Sequence, residues 1–171
     1  MPAAMARVRC EVEIDATTDE VWAHIADVST HTDWMRDAQA IRLLTEQTQG
    51  VGTRYECDTK VGPLTMTDIM EIIDWRPGVA MGVRHEGVVT GAGMFTLTPI
   101  DLDRRTRFAW TEELRFPWWL AGPLGATVGG KTVLSAIWNR NLRDLKQQIE
   151  QPDGEPADQA DGDPADQAAE G

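Results

Sequence analysis

The stretch Trp118–Ile149 reads WWLAGPLGATVGGKTVLSAIWNRNLRDLKQQI. Within it Leu124, Val128, Lys131, Ser135, Trp138, Leu142, Leu145 and Ile149 follow one another at steps of 4, 3, 4, 3, 4, 3 and 4. At about 3.6 residues per turn those steps place all eight on one stripe of a helix. Arg140, Arg143, Asp144 and Gln147 point mostly elsewhere. A helix from about Pro123 to Ile149 is roughly 40 Å long at about 1.5 Å per residue, long for a small domain. Two stripe members, Lys131 and Ser135, are polar. Either Lys131 snorkels to water from a helix that faces the core, or the helix closes a cavity and the polar pair faces it.

Beyond this helix the composition changes. From Gln151 the chain runs QPDGEPADQADGDPADQAAEG, with seven acidic residues, no basic one and no large apolar side chain. It nearly repeats itself, and it cannot bury enough surface to offset its ordering entropy, so residues 151–171 are expected to be a disordered acidic tail. The 171-residue chain then contains one domain, residues 1–150. The formal net charge of −12 falls to −5 without the tail's seven acidic groups. A mildly acidic core argues against nucleic-acid binding. No apolar leader opens the sequence and no run of 18 apolar residues occurs, so the expectation is a cytoplasmic protein with no transmembrane segment. Cys10 and Cys57 lack metal-ligand spacing and a disulfide framework, and the three histidines are scattered, so neither metal nor cofactor is expected.

Ahead of the helix, the chain is mostly strand. Val8, Cys10, Val12 and Ile14 alternate with Arg7, Arg9, Glu11 and Glu13, apolar on one face and charged on the other. Thr17 and Glu20 form a capping box, and Val21, Trp22, Ile25 and Val28 give the helix that follows an apolar face. A second short helix is expected around Asp33–Met35, capped by Ser29 or Thr30. Six strands follow. Ile41 and Leu43 sit in the first, and Tyr55, Cys57 and Thr59 line one face of the second. In residues 64–75 the face is ambiguous, with Met66, Asp68, Met70 and Ile72 competing against Thr67, Ile69, Glu71 and Ile73. Met81, Val83 and His85 share a face in the next. Gly91, Gly93, Phe95 and Leu97 line the fifth, and Thr106, Phe108, Trp110, Glu112, Leu114 and Phe116 the last. Short turns between successive strands make an antiparallel meander, with one charged face and one that the long helix covers. The expected fold is α+β: a seven-stranded curved antiparallel sheet wrapped around a long C-terminal helix, with two short helices after strand 1.

Four segments carry a family resemblance. ATTDEVWAHIADVSTHTDWM (residues 16–35), GVGTRY (50–55), EIIDWRPG (71–78) and TRFAWTEEL (106–114) resemble the START-like superfamily, also called SRPBCC, and within it the polyketide cyclase/dehydrase and lipid transport group. The resemblance spans about residues 6–149. It implies a helix-grip fold with a cavity for a hydrophobic ligand between sheet and long helix. It carries over no catalytic residue, because the superfamily has no universal catalytic motif.

The inward strand faces define a candidate pocket of Tyr55, Met81, His85, Gly93, Phe95, Trp110 and Glu112, with Lys131, Ser135 and Trp138 from the helix. Gly91 and Gly93 either leave volume where side chains would fill the core or mark a bend in the sheet. Glu112 interrupts an apolar row. A buried carboxylate needs a partner, a proton or water, unless a bulge turns it outward. Counting back from the hairpin turns puts His85, Gly93 and Glu112 level on three neighbouring strands, with an empty gap over the glycine. One of Asp68 and Glu71 faces inward. The adjacent Trp118 and Trp119 cannot both face the core of a helix. One reading puts one of them at a cavity rim, a dimer contact or a transient membrane or protein contact; the other packs both at the sheet end.

Three functions compete on this reading. The first is a carrier for a small hydrophobic ligand: a lipid, a polyketide or an isoprenoid. The second is a polyketide aromatase/cyclase or dehydratase in which Glu112 or His85 moves protons. The third is a protein-interaction module docking through the two tryptophans. A monomer and a dimer are both compatible with the sequence.

Overall fold

Strand β1 (Ala4–Ile14) opens the fold, in a computed structural model that describes residues 4–117 and 130–152. Helix α1 (Thr18–Ile25) starts at the expected capping box. The Thr17 side chain accepts from the Glu20 amide and the Glu20 carboxylate accepts from the Thr17 amide. The next element is a 3₁₀ turn, Val28–Asp33, rather than an α-helix at Asp33–Met35. Its cap is Asp27, whose carboxylate accepts from the Ser29 amide, and not Ser29 or Thr30. The turn ends at Trp34, whose ring is buried against Phe95 and Trp110.

Six strands follow: β2 (Ala38–Leu43), β3 (Arg54–Val61), β4 (Leu64–Arg76), β5 (Ala80–Glu86), β6 (Thr90–Ile100) and β7 (Arg105–Phe116). All neighbours are antiparallel, in the order β1-β7-β6-β5-β4-β3-β2. The outer face is a lattice of ion pairs, including Arg7–Glu113, Arg42–Asp58, Arg84–Glu71 and Arg105–Glu13. Such exposed pairs each contribute about 0–1 kcal/mol, so they keep the face wet more than they hold the sheet. The inner face is packed by apolar side chains.

Strand β4 shows why its sequence favoured neither face. Its register slips between Ile72 and Asp74. Before the slip Asp68 and Ile72 are buried and Ile73 is exposed. After it Trp75 pairs with the fully buried Met81 and packs edge-on against Trp22, 4.9 Å between ring centres. One extra residue inverts the alternation halfway along the strand.

Helix α2 (Gly130–Glu150) lies along β1 on the inner face. Trp138, Leu142 and Leu145 are buried as the stripe requires, and Ile149 is half-buried. Leu134 and Asn141 are buried as well, while Ser135 is only half-buried. The inward line through the first turns is therefore Leu134–Trp138–Asn141–Leu145, one residue away from the expected Lys131–Ser135 edge. The expected helix start at Pro123, with Leu124 and Val128, lies outside the described residues, as do Trp118, Trp119 and the acidic segment from residue 153.

Candidate functional site

Strand β7 places its even-numbered residues inward, and Trp110, Glu112 and Leu114 are each more than nine-tenths buried. No bulge turns Glu112 outward. Its Oε1 accepts the indole N–H of Trp110 at 2.9 Å. Its Oε2 lies 3.2 Å from His85 Nε2, an ion-pair distance. Oε2 is fully buried, and His85 is the group that faces it. Burial opposes a charge on His85, but Glu112 at contact, with Asp68 beyond it, outweighs that. The imidazole therefore sits above its ordinary value.

The register differs from the expected one. Val83, Gly93 and Glu112 are level on β5, β6 and β7, whereas His85 is level with Gly91 and Leu114. His85 meets Glu112 along a diagonal, two residues further along its strand than expected. Nor is the space over Gly93 an empty gap. A Cβ at Gly93 would lie 2.3 Å from Glu112 Oε1, so the glycine makes room for the carboxylate itself. Gly91 has a different reason. With φ at +149°, a Cβ there would lie 2.0 Å from the Glu113 carbonyl oxygen. Gly93 thus accommodates a side chain and Gly91 a close approach of backbone.

Between sheet and α2 lies a cavity of about 120 Å³. Of the sequence-predicted residues, Tyr55, His85, Phe95, Trp110, Glu112 and Trp138 line it. Met81 is fully buried in the core and does not reach the wall, and Gly93 lies beneath Glu112. Ser135 also stays off the wall; its carbonyl, above β1, accepts from the Cys10 thiol at 3.8 Å. Leu134 takes the position expected of Ser135. The side chain of Lys131 lies outside the described residues.

Three further polar groups stand on the wall: Asp68, which takes the inward place left open between it and Glu71, and Asp37 and His31, which no sequence pattern marks. Asp68 is 4% exposed, and its Oδ1 accepts from the amides of Val88 and Val89 at 2.7 and 3.4 Å, clamping the β5–β6 turn. Asp37 accepts from Asn141 of α2 at 2.6 Å. Burial raises its carboxyl above the ordinary range, offset in part by Asn141 and reinforced by Glu112. His31 donates Nε2–H to the Ile25 carbonyl at 2.8 Å, and burial lowers it to about 4, so it is neutral at pH 7. Only the parity of β4 carried a sequence signal for Asp68, and the bulge obscured it. Asp37 and His31 stand in short irregular segments with no periodicity to read.

The remaining wall is apolar and aromatic. Trp110 stacks on Trp138 at 5.2 Å and meets Phe95 edge-on at 5.3 Å. Burial pushes the Cys57 thiol up to about 11 and the Tyr55 phenol higher still, so both are neutral. Both cysteines are free, on strands separated by four others. Among the described residues no cluster of three His, Cys, Asp or Glu side chains is arranged to hold a metal ion, and no helix is long and apolar enough to cross a membrane.

An antiparallel sheet gripping a C-terminal helix over an internal cavity defines the helix-grip class of START-like proteins. The chain belongs to the polyketide cyclase/dehydrase and lipid transport family, whose pattern it matches over residues 5–150. Comparison with curated proteins finds no match. Among solved structures, a Thermus thermophilus protein is similar at 16% identity, TM-score 0.72, over 87% of this chain and all 100% of that one. A START superfamily protein of Mycobacterium smegmatis is similar at 12% identity, TM-score 0.70, over 85% of this chain and 98% of that one. The Zhui aromatase/cyclase of a Streptomyces species is similar at 22% identity, TM-score 0.65, over 86% of this chain and 95% of that one. At these identities the likeness establishes the fold.

Proposed function

We propose that the protein holds a small hydrophobic molecule in the cavity between sheet and α2, with the molecule's polar end at Glu112 and His85. The observation that carries this reading is the cavity itself, an apolar and aromatic space whose wall is broken by the buried Glu112 carboxylate and His85 imidazole, 3.2 Å apart. Buried polar groups of this kind need polar partners, and a ligand's polar end supplies one. At about 120 Å³ the cavity is comparable to the roughly 150 Å³ that accepts a single benzene ring. It is smaller than the roughly 300–1,000 Å³ of sites for drug-sized ligands, so a longer molecule must displace the wall or extend beyond it. Toluene is the direct probe. Saturating toluene should raise Tm and shift the indole N–H resonance of Trp110. No change in either measurement would sink the reading.

The His85–Glu112 pair favours a second reading, polyketide cyclase or dehydratase chemistry. An imidazole touching a carboxylate on the wall of a cavity is equipped to take and return a proton, and the wall shape would fold a poly-keto chain. Turnover of a poly-β-keto thioester that is lost in His85→Ala, while toluene uptake persists, would decide for the enzyme. Gene neighbourhood separates the two cheaply, since adjacent polyketide synthase genes favour the enzyme.

A further inference from the structure

We infer that the cavity selects a ligand whose polar end donates hydrogen bonds, a hydroxyl or a protonated amine, and rejects one ending in a carboxylate. This rests on the cavity being the ligand site. Three carboxylates line the polar wall, beside the hydroxyls of Tyr55 and Thr59, and each is anchored through one oxygen: Glu112 to the Trp110 indole, Asp68 to the amides of Val88 and Val89, Asp37 to Asn141. The anchors fix the carboxylates in place.

The basic groups do not balance this. Among the described residues no lysine or arginine side chain lines the cavity. His31 spends its one N–H on the Ile25 carbonyl and is neutral. That leaves His85, which already faces Glu112 at 3.2 Å. Even with that pair fully ionised, Asp37 and Asp68 leave carboxylates in excess on the described wall. A ligand carboxylate would enter beside three others, where like charges at short range cannot all ionise. A hydroxyl or ammonium would instead bring a donor to carboxylates that are each anchored through one oxygen. The stacked Trp110 and Trp138 suit either an aromatic ring or a cation over an indole face.

The test is a matched series of one size: toluene, benzyl alcohol, benzylamine and benzoate, titrated at pH 7.5 by isothermal calorimetry against wild type and Glu112→Gln. Glutamine keeps an acceptor for Trp110 and replaces Oε2 with an N–H₂ donor. In wild type, benzyl alcohol and benzylamine should bind at least tenfold more tightly than toluene, and benzoate more weakly than toluene. In Glu112→Gln the donors should lose at least tenfold relative to toluene. Benzylamine well ahead of benzyl alcohol assigns the preference to charge, and equality assigns it to hydrogen-bond donation. Benzoate matching benzyl alcohol in wild type, or an unchanged order in Glu112→Gln, overturns the inference and leaves the cavity reading standing. Toluene failing to bind wild type overturns the cavity reading, and this inference with it.

Discussion

Glu112 sits between an indole that donates to it and an imidazole that only approaches it, and both neighbours have measurable consequences. His85, raised by Glu112 against the pull of burial, should titrate above the ordinary 6.5 in wild type and fall in Glu112→Gln. Histidine ring-proton shifts followed by NMR report this directly. A group whose folded value is raised stabilises the fold fully below its unfolded value, and that contribution disappears as pH climbs through the folded value. The stability gap between wild type and Glu112→Gln should therefore narrow above pH 6.5. His31 works in the opposite direction. Its folded value of about 4 lies below the unfolded 6.5, so stability is lost as pH falls from 6.5 toward 4, by about 3 kcal/mol at full effect. Urea melts of His31→Gln across that window should show a flatter pH slope than wild type. Gly93→Ala tests the packing under Glu112. Its Cβ would meet the carboxylate at 2.3 Å, so Glu112 must swing away, with a stability loss of about 1–3 kcal/mol and loss of toluene uptake. At this scale the sequence was half legible. Glu112 stood out because it broke an apolar row. His85 was named for the correct face but the wrong level, because hairpin turns locate a register only to within a residue or two. Asp68 was left as an alternative to Glu71, and His31 and Asp37 stand in short segments that no period describes.

Helix α2 and the strands it covers were the most readable elements, because their signal is repetition. Steps of 3 and 4 found Trp138, Leu142 and Leu145, and alternation found every inward residue of β7. The reading failed at Ser135, where steps of 3 and 4 admit two adjacent lines and the apolar one, through Leu134, faces inward. It failed again at β4, where the bulge at Ile73 mixes two alternations in one strand. Leu142→Ala or Leu145→Ala should each cost about 2–5 kcal/mol, measured by urea denaturation, since both are at most 1% exposed. A loss under about 1 kcal/mol would mean that the helix does not seat on the sheet through this face. Asn141 is a stricter probe of how helix and cavity are joined. Fully buried, it accepts from the Arg36 amide and donates to Asp37, tying α2 to the segment before β2. Asn141→Ala would leave that amide and that buried carboxylate without their partner, a larger loss than its few atoms of packing imply.

For the whole molecule the question is what the cavity does to stability. Interiors pack to near-crystalline density, and each void forgoes contacts its lining atoms would otherwise make. A fold that keeps about 120 Å³ open, with three carboxylates on the wall, has not optimised its own stability. Proteins generally surrender stability at the sites they use. Ala38 offers a way to reverse that trade. It is 6% exposed, stands at the start of β2 and lines the cavity without carrying a polar group. Ala38→Leu should fill part of the void, raise stability by about 0.5–2 kcal/mol in urea denaturation, and weaken toluene binding at least tenfold. Both changes are needed. A stabilised variant that binds toluene as wild type does would place the apolar probe elsewhere. A destabilised one would mean the wall around β2 is already close-packed and that a ligand must enter by moving it.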